Sequence, residues 1–79
     1  MMITPESIKA SIEQGMTFVH VEVDGDGRHF EAVVVSDEFF GKSRVQRHQR
    51  VYQALGDSMR DEMIHALTMK TYTPQEWEK

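Results

Sequence analysis

Three segments of the chain have the apolar and polar patterning of β-strands. Residues 18–23 and 64–72 alternate with the period of two that is typical of a strand with one buried face. Phe30–Val35 ends in an unbroken run of valines, which indicates a strand that is buried on both sides and is central in its sheet. Residues 24–27, with the sequence Asp-Gly-Asp-Gly, predict a tight turn between the first two strands.

Helix-capping residues predict a helix near each end of the chain. Thr4 followed by Pro5 is typical of an N-cap and a first helical residue, and the first helix should end near Gly15. Residues 73–76, with the sequence Thr-Pro-Gln-Glu, repeat this arrangement and predict a short terminal helix in which Trp77 anchors the apolar side.

A capping box between Ser43 and Gln46 predicts the longest helix, over residues 43–56. A single helical turn over residues 36–40 should precede it. At 100° per residue, one apolar stripe of this helix should face the sheet, while Arg47 and Arg50 lie well away from it. The residues of that predicted stripe are Val45, His48, Tyr52, Leu55 and Met59.

The element order αββααβα predicts an α+β fold with a three-stranded mixed sheet covered by helices. Strands 1 and 2 should be antiparallel because a tight turn joins them. Strands 2 and 3 should be parallel because a helical crossover separates them.

Length and composition describe one small domain over residues 1–79, with 39% hydrophobic and 28% charged residues. The chain has no cysteine, so it offers neither a thiolate nucleophile nor a cysteine cage for a metal. It has no secretion signal and no apolar stretch approaching the roughly 20 residues of a membrane span, so we expect a cytoplasmic protein.

Catalytic motifs are missing from the sequence. A Gly-Lys-Ser triplet begins at Gly41, but a phosphate-binding loop needs a second glycine five residues earlier, where Ser36 stands. No spacing of Ser, His and acidic residues is typical of nucleophilic catalysis. We therefore expect a protein that is not an enzyme.

Charge is strongly segregated along the chain. Residues 1–38 hold eight acids and two bases, a net charge of −6, whereas residues 39–55 hold four bases and no acid. The basic helix, residues 42–55, suits nucleic-acid contact or simply a solvated surface, and the acidic remainder opposes binding to phosphates. Its candidate DNA-contacting residues are Lys42, Arg44, Arg47 and Arg50.

Two of the four histidines are candidate metal ligands. His29 follows the glycine-rich turn, and His65 is expected to open the third strand. If strands 2 and 3 are parallel neighbours, both histidines lie at the same end of the sheet, either as joint ligands or as two unconnected edge residues. His48 and Tyr52 fall in the apolar stripe and are expected to be structural, while His20 is expected on the polar face of the first strand beside Glu22.

Several motifs, in order, resemble the BolA family, and the Gly-Asp-Gly-x-His-Phe turn and the Thr-Pro-x-Glu-Trp ending are most similar to its IbaG-type branch. The resemblance covers nearly the whole chain from about Val19. The motifs that carry it are Val33-Val34-Val35-Ser36, Phe40-Gly41-Lys42-Ser43, Val45-Gln46-Arg47-His48, Val51-Tyr52-Gln53-Ala54-Leu55, Ile64-His65-Ala66-Leu67 and Thr73-Pro74-Gln75-Glu76-Trp77.

The resemblance implies a fold similar to a class II KH domain and a non-enzymatic adaptor. It implies that a monothiol glutaredoxin is the partner and that the two proteins together hold a [2Fe-2S] cluster, for iron–sulfur trafficking or for iron and stress sensing. By this resemblance His65 matches the family's C-terminal ligand, and His29 matches the variable ligand of the first turn.

The resemblance also implies an alternative, a small DNA-binding transcriptional regulator that uses the basic helix. The acidity of this chain is a departure that weakens that role. The isolated protein is expected to be a monomer or a weak homodimer that holds no cofactor of its own.

Overall fold

The computed structural model describes residues 3–78. Within them no helix is both long and apolar enough to cross a membrane. In chain order the elements are α1 (Pro5–Gly15), β1 (His20–Gly25), β2 (Phe30–Val35), a 3-10 turn (Asp37–Phe39), α2 (Arg44–Leu55), α3 (Asp57–Ala66), β3 (Leu67–Tyr72) and α4 (Pro74–Trp77).

The sheet has the predicted topology. Its strand order is β1-β2-β3, with β1 antiparallel and β3 parallel to the central strand β2. The α+β class and the mixed sheet are therefore confirmed. The first strand begins at His20 rather than at residue 18, although the N–H of Val19 already donates to the carbonyl of Val35 at 2.7 Å.

The predicted caps are present in the helices. The Thr4 hydroxyl accepts a hydrogen bond from the N–H of Ser7 at 3.1 Å, which fixes the start of α1. In the capping box of α2, the Ser43 hydroxyl accepts from the N–H of Gln46 at 3.2 Å, and the Gln46 side chain accepts from the N–H of Ser43 at 2.9 Å.

One face of the sheet packs on three helices and forms the core. Phe39 is the largest fully buried side chain. Every second residue of β2 and β3 points into this cluster, as the strand period requires. The buried core residues of the helices and strands are Ile8, Ile12, Val21, Phe30, Ala32, Val34, Val51, Leu55, Met63, Leu67 and Met69.

The predicted start of the third strand is wrong. Residues 64–66 form the last turn of α3, and β3 begins only at Leu67. The N–H of Leu67 still donates to the carbonyl of Met63, so helical bonding continues up to the strand. No helix was predicted over residues 57–66, because Gly56, with a φ of 88°, starts α3 without a side-chain cap that a sequence motif would indicate.

The predicted apolar stripe is correct at Leu55, which is buried, and at Tyr52 and Met59, which pack against the core, but it is wrong at its first residue and omits Val51. Val45 is 64% exposed, and the buried residues of this helix are Val51 and Leu55. Half-buried Arg47, on the same side of the helix as Val51, takes the inward position that the stripe assigned to apolar side chains. Its guanidinium lies 5.8 Å from the centre of the Phe39 ring, so its stem and planar head pack on the core while remaining charged.

Candidate metal-ligand site and basic cleft

His29 lies in a β1–β2 turn whose backbone is fixed by Asp26. One carboxylate oxygen of Asp26 accepts from the N–H groups of Arg28 and His29, both at 2.9 Å. The N–H of Asp26 in turn donates to the carbonyl of His29 at 3.1 Å. These hydrogen bonds, from His29 first and then Arg28, lower the pKa of Asp26, so the carboxylate stays charged near neutral pH. The exposed His29 side chain therefore projects from an ordered turn.

The two glycines of this turn are needed for different reasons. A Cβ on Gly25 would lie 2.4 Å from the Phe30 ring and 2.7 Å from the His29 carbonyl oxygen, so only glycine lets these groups approach. Gly27 has a φ of 95°, a conformation that other residues rarely adopt. The Asp-Gly-Asp-Gly segment thus sets both the reversal of the chain and the position of His29.

His65 occupies the last turn of α3 and is exposed. In the β2–β3 register Phe30 pairs with Leu67, so His29 lies one residue before that pair and His65 two residues before it. Both residues therefore lie at the same end of the sheet, although His65 belongs to the helix that precedes β3 rather than to the predicted strand.

The donor set fits a shared metal site better than a self-contained one. Residues 3–78 contain no group of three or more His, Asp or Glu side chains that could hold a metal ion. His29 and His65 are two accessible nitrogen donors, and the chain has no cysteine to add. Two imidazoles suit partial ligation of iron, with the remaining ligands supplied by another molecule.

Arg47, a candidate DNA contact, is engaged inside the protein. Its guanidinium donates to Glu76 at 2.8 Å and to the carbonyl of Thr71 at 3.3 Å, and its Nε donates to the carbonyl of Lys42 at 3.0 Å. The hydrogen bond from Arg47 is the main cause of the lowered pKa of Glu76. Arg47 thus ties α2 to β3 and α4, and the prediction that it lies away from the packed face is wrong.

Arg50 is engaged in the same way. Its Nε donates to Glu38 at 2.8 Å, and Glu38 also accepts from the N–H of Thr17 at 2.6 Å. Burial alone would raise the pKa of Glu38, but the hydrogen bonds from Arg50 and Thr17 outweigh burial and lower it. Arg50 reaches the carbonyl of Gly15 as well, at 3.2 Å, so the pair joins α1, the 3-10 turn and α2.

Lys42 and Arg44, the other two predicted contacts, lie on an open cleft of about 710 Å³ between the start of α2 and β3. The cleft also receives Lys70, and no ion pair is found for these three cations within residues 3–78. Its walls are formed by Lys42, Arg44, Arg47, His48, Thr68, Met69, Lys70, Thr71, Tyr72 and Glu76.

His48, half-buried, lines this cleft, and no hydrogen bond to its ring is found within residues 3–78. Burial, and secondarily the charge of Arg44, lowers its pKa. Tyr52, one turn further along α2, is half-buried and packs against the core.

The lowered pKa of His48 predicts a pH effect on stability. Between its folded and unfolded pKa values the unfolded chain binds more protons, so the free energy of unfolding should fall as the pH drops below about 6.5. We expect His48→Gln to lose less stability than the wild type between pH 7.5 and 5.5, a range above the carboxylate titrations. Urea unfolding at several pH values measures the free energy of unfolding of both proteins, and their values at pH 8 serve as the reference. If the two free energies changed with pH in parallel, the prediction would be contradicted.

An aromatic cluster of His20, Tyr72 and Trp77 lies on the open face of the sheet and was only weakly indicated by the sequence. The rings of His20 and Trp77 stack with centroids 5.3 Å apart, and Tyr72 lies 5.6 Å from Trp77 on the other side. His20 also lies 2.7 Å from Glu22, as its position beside Glu22 suggested. Because His20, Val35 and Tyr72 pair across the three strands, Trp77 lies over this row and holds α4 on the sheet.

Fold and site define a small α+β protein with two accessible imidazoles at one end of its sheet and a basic cleft beside β3. The family model described as BolA-like protein matches residues 2–76. The chain belongs to the BolA-like protein family, which confirms the resemblance seen in its motifs.

Individual relatives agree with this assignment. The acid stress protein IbaG of Escherichia coli (strain K12) is 40% identical over 70 residues, covering 89% of this chain and 83% of the relative. The DNA-binding transcriptional regulator BolA of Vibrio cholerae serotype O1 is 41% identical over 75 residues, covering 95% of this chain and 67% of the relative. A bolA protein homologue from Coxiella burnetii has a TM-score of 0.79 at 47% identity, over 99% of this chain and 100% of that one. None of these names describes an enzymatic activity.

Proposed function

We propose that this protein is a non-enzymatic cytoplasmic adaptor that acts with a monothiol glutaredoxin in iron–sulfur trafficking or in iron and stress sensing. The observation that carries the proposal is the position of His29 and His65, both exposed and both at the same end of the sheet. The similarity to a protein named for acid stress supports a role in stress.

In this proposal the cluster is the cargo that the two proteins hold together. A [2Fe-2S] cluster supplies redox and transfer chemistry, and neutral imidazoles around it lower the negative charge that thiolates would give. The hydrogen bond to Asp26 fixes the backbone of His29. The backbone of His65 is fixed by the helical hydrogen bonding of the last turn of α3. The glutaredoxin must provide the thiolates, because this chain has no cysteine.

The experiment that tests the proposal is a titration of a cluster-loaded monothiol glutaredoxin with the protein, followed by visible circular dichroism. The spectrum reports the ligands and the asymmetry of the cluster directly. We expect a new spectrum that saturates at a fixed ratio of the two proteins. A spectrum that stays that of the glutaredoxin alone at all ratios would reject shared ligation.

A second candidate function, DNA binding, is favoured by the name of the Vibrio cholerae relative. Arg47 and Arg50 already bind within the fold, which leaves Lys42 and Arg44 as the accessible cations among the four predicted. This candidate therefore requires weak binding through few phosphates.

For that candidate, the affinity for duplex DNA should fall with salt at a slope of about −2 on logarithmic axes, near −0.9 per phosphate contact. Replacing both Lys42 and Arg44 by alanine should remove most of this slope, because Arg47 and Arg50 stay in their ion pairs and Lys70 is then the one cation of the cleft without an ion pair within residues 3–78. Fluorescence anisotropy over a series of salt concentrations measures it. Binding that is absent, or independent of salt in the wild type, excludes DNA as the partner.

A further inference from the structure

β3 is an edge strand whose outer side opens into the basic cleft. The carbonyl of Tyr72 accepts from the N–H of Ser36 beyond the end of β2, so Tyr72 and the residues two and four before it direct their backbone groups toward β2. Leu67, Met69 and Thr71 consequently direct theirs outward. The guanidinium of Arg47 donates a hydrogen bond to the carbonyl of Thr71, which confirms that this carbonyl points away from β2.

The outward groups of Met69 are bordered by positive charge. Lys70 is exposed on the open face of the sheet, and the cleft is bordered on its other side by Arg44, the first residue of α2, and by Lys42, just before that helix. An edge strand with unpaired backbone groups is a template for an added strand, which gains affinity from backbone hydrogen bonds and specificity from its side chains. Here the flanking charges select carboxylates.

The negative charge of the rest of the molecule disfavours the binding of a nucleic acid in this cleft. Residues 1–38 carry a net charge of −6, and the whole chain −4. A rigid duplex would bring a phosphate charge about every 1.7 Å along its axis close to these acids. An extended peptide with a few carboxylates can follow β3 alone and place each charge beside a lysine or arginine.

We propose that the cleft between α2 and β3 binds an acidic, extended peptide segment of a partner protein, added as a further strand along the part of the β3 edge centred on Met69, between the Leu67 N–H and the Thr71 carbonyl that already have partners. The site is separate from the histidine pair, because Lys70 and Arg44 line the cleft and neither His29 nor His65 does. The proposal is independent of the proposed function and stands or falls separately from it.

The test uses the full chain and a fluorescein-labelled peptide of alternating glutamate and valine, matched to the 6 residues of β3. Anisotropy should show saturable binding. Lys70→Glu and Arg44→Glu should each weaken it about tenfold through like-charge contact. Lys9→Glu makes the same change of charge on exposed α1 and should leave the affinity within about twofold. Far-UV circular dichroism checks that each variant is folded.

Two further probes separate strand addition from simple charge attraction. Peptides methylated on alternate amide nitrogens keep their carboxylates but lose the hydrogen bonds of one edge, so one methylated series should lose binding and the other should keep it. Equal binding of both series would overturn strand addition. Tighter binding of a single-stranded thymidine oligonucleotide than of the peptide, with the same loss in Lys70→Glu, would overturn the choice of ligand. Sedimentation tests whether a second copy of the protein occupies the cleft instead. Self-association that releases the bound peptide as the protein concentration rises would overturn the choice of a partner's peptide.

Discussion

His65→Ala should abolish the change in visible circular dichroism that the wild-type protein causes in a cluster-loaded monothiol glutaredoxin. The variant lacks one of the two imidazoles proposed as ligands at this end of the sheet, and the chain offers no cysteine to replace it. The fold should be retained, because His65 is exposed and its side chain lies on the surface of the last turn of α3.

Two variants control this experiment. His20→Ala removes an imidazole from the opposite end of the sheet, where His20 pairs with Val35, and should leave the spectral change intact. His29→Ala should give a third spectrum, distinct from that of the wild type and of the free glutaredoxin. By the family resemblance, His29 matches the variable ligand, whereas His65, which matches the C-terminal ligand, remains in this variant. A His65→Ala protein that still produces the wild-type spectrum would remove His65 from the site.

Gly15→Ala should destabilise the protein by about 2–3 kcal/mol and lower its Tm by about 10–20 °C. A Cβ at this position would lie 2.5 Å from the carbonyl oxygen and 2.7 Å from the Cα of Ala54, so α1 and α2 would have to separate. The sign is informative, since replacing glycine by alanine within a helix ordinarily stabilises it by about 0.5–1 kcal/mol. Chemical and thermal unfolding measure both quantities.

The exposed neighbour Gln14 provides the control for this substitution. Gln14→Ala changes the same turn of α1 without approaching α2, so its free energy of unfolding should stay within about 0.5 kcal/mol of the wild type. Adding Ala54→Gly should not rescue Gly15→Ala, because the obstructing atoms belong to the backbone of Ala54. A stabilised Gly15→Ala protein would show that the two helices separate at little cost.

Local signals in the sequence were sufficient for most of the fold. Caps such as Thr4 and Ser43 satisfy backbone donors within four residues, so their effect is readable from short motifs. Strand direction followed from the lengths of the connections. The boundary near Leu67 was missed because residues 64–66 satisfy both a strand and a helix pattern, and their helical state depends on Met63 packing into the core.

The candidate site was predictable only in part, for a related reason. The common position of His29 and His65 followed from parallel pairing, a property of topology. The ion pairs of Arg47 and Arg50 could not be predicted in this way, because their partners Glu76 and Glu38 are 29 and 12 residues away along the chain. Charge counted along a segment therefore overstated the cations that solvent or a ligand can reach. The close approach of Gly15 to Ala54 was likewise invisible, and its glycine was interpreted only as a helix stop.

Trp77, the single tryptophan of the chain, has its ring close to those of both His20 and Tyr72. Its fluorescence consequently arises from one known place, the contact of the last helix with the outer surface of the sheet. Intrinsic emission thus monitors detachment of that terminal segment, while the far-ultraviolet signal monitors the helices as a group. The molecule thus contains its own optical reporter for the packing of α4 on the sheet.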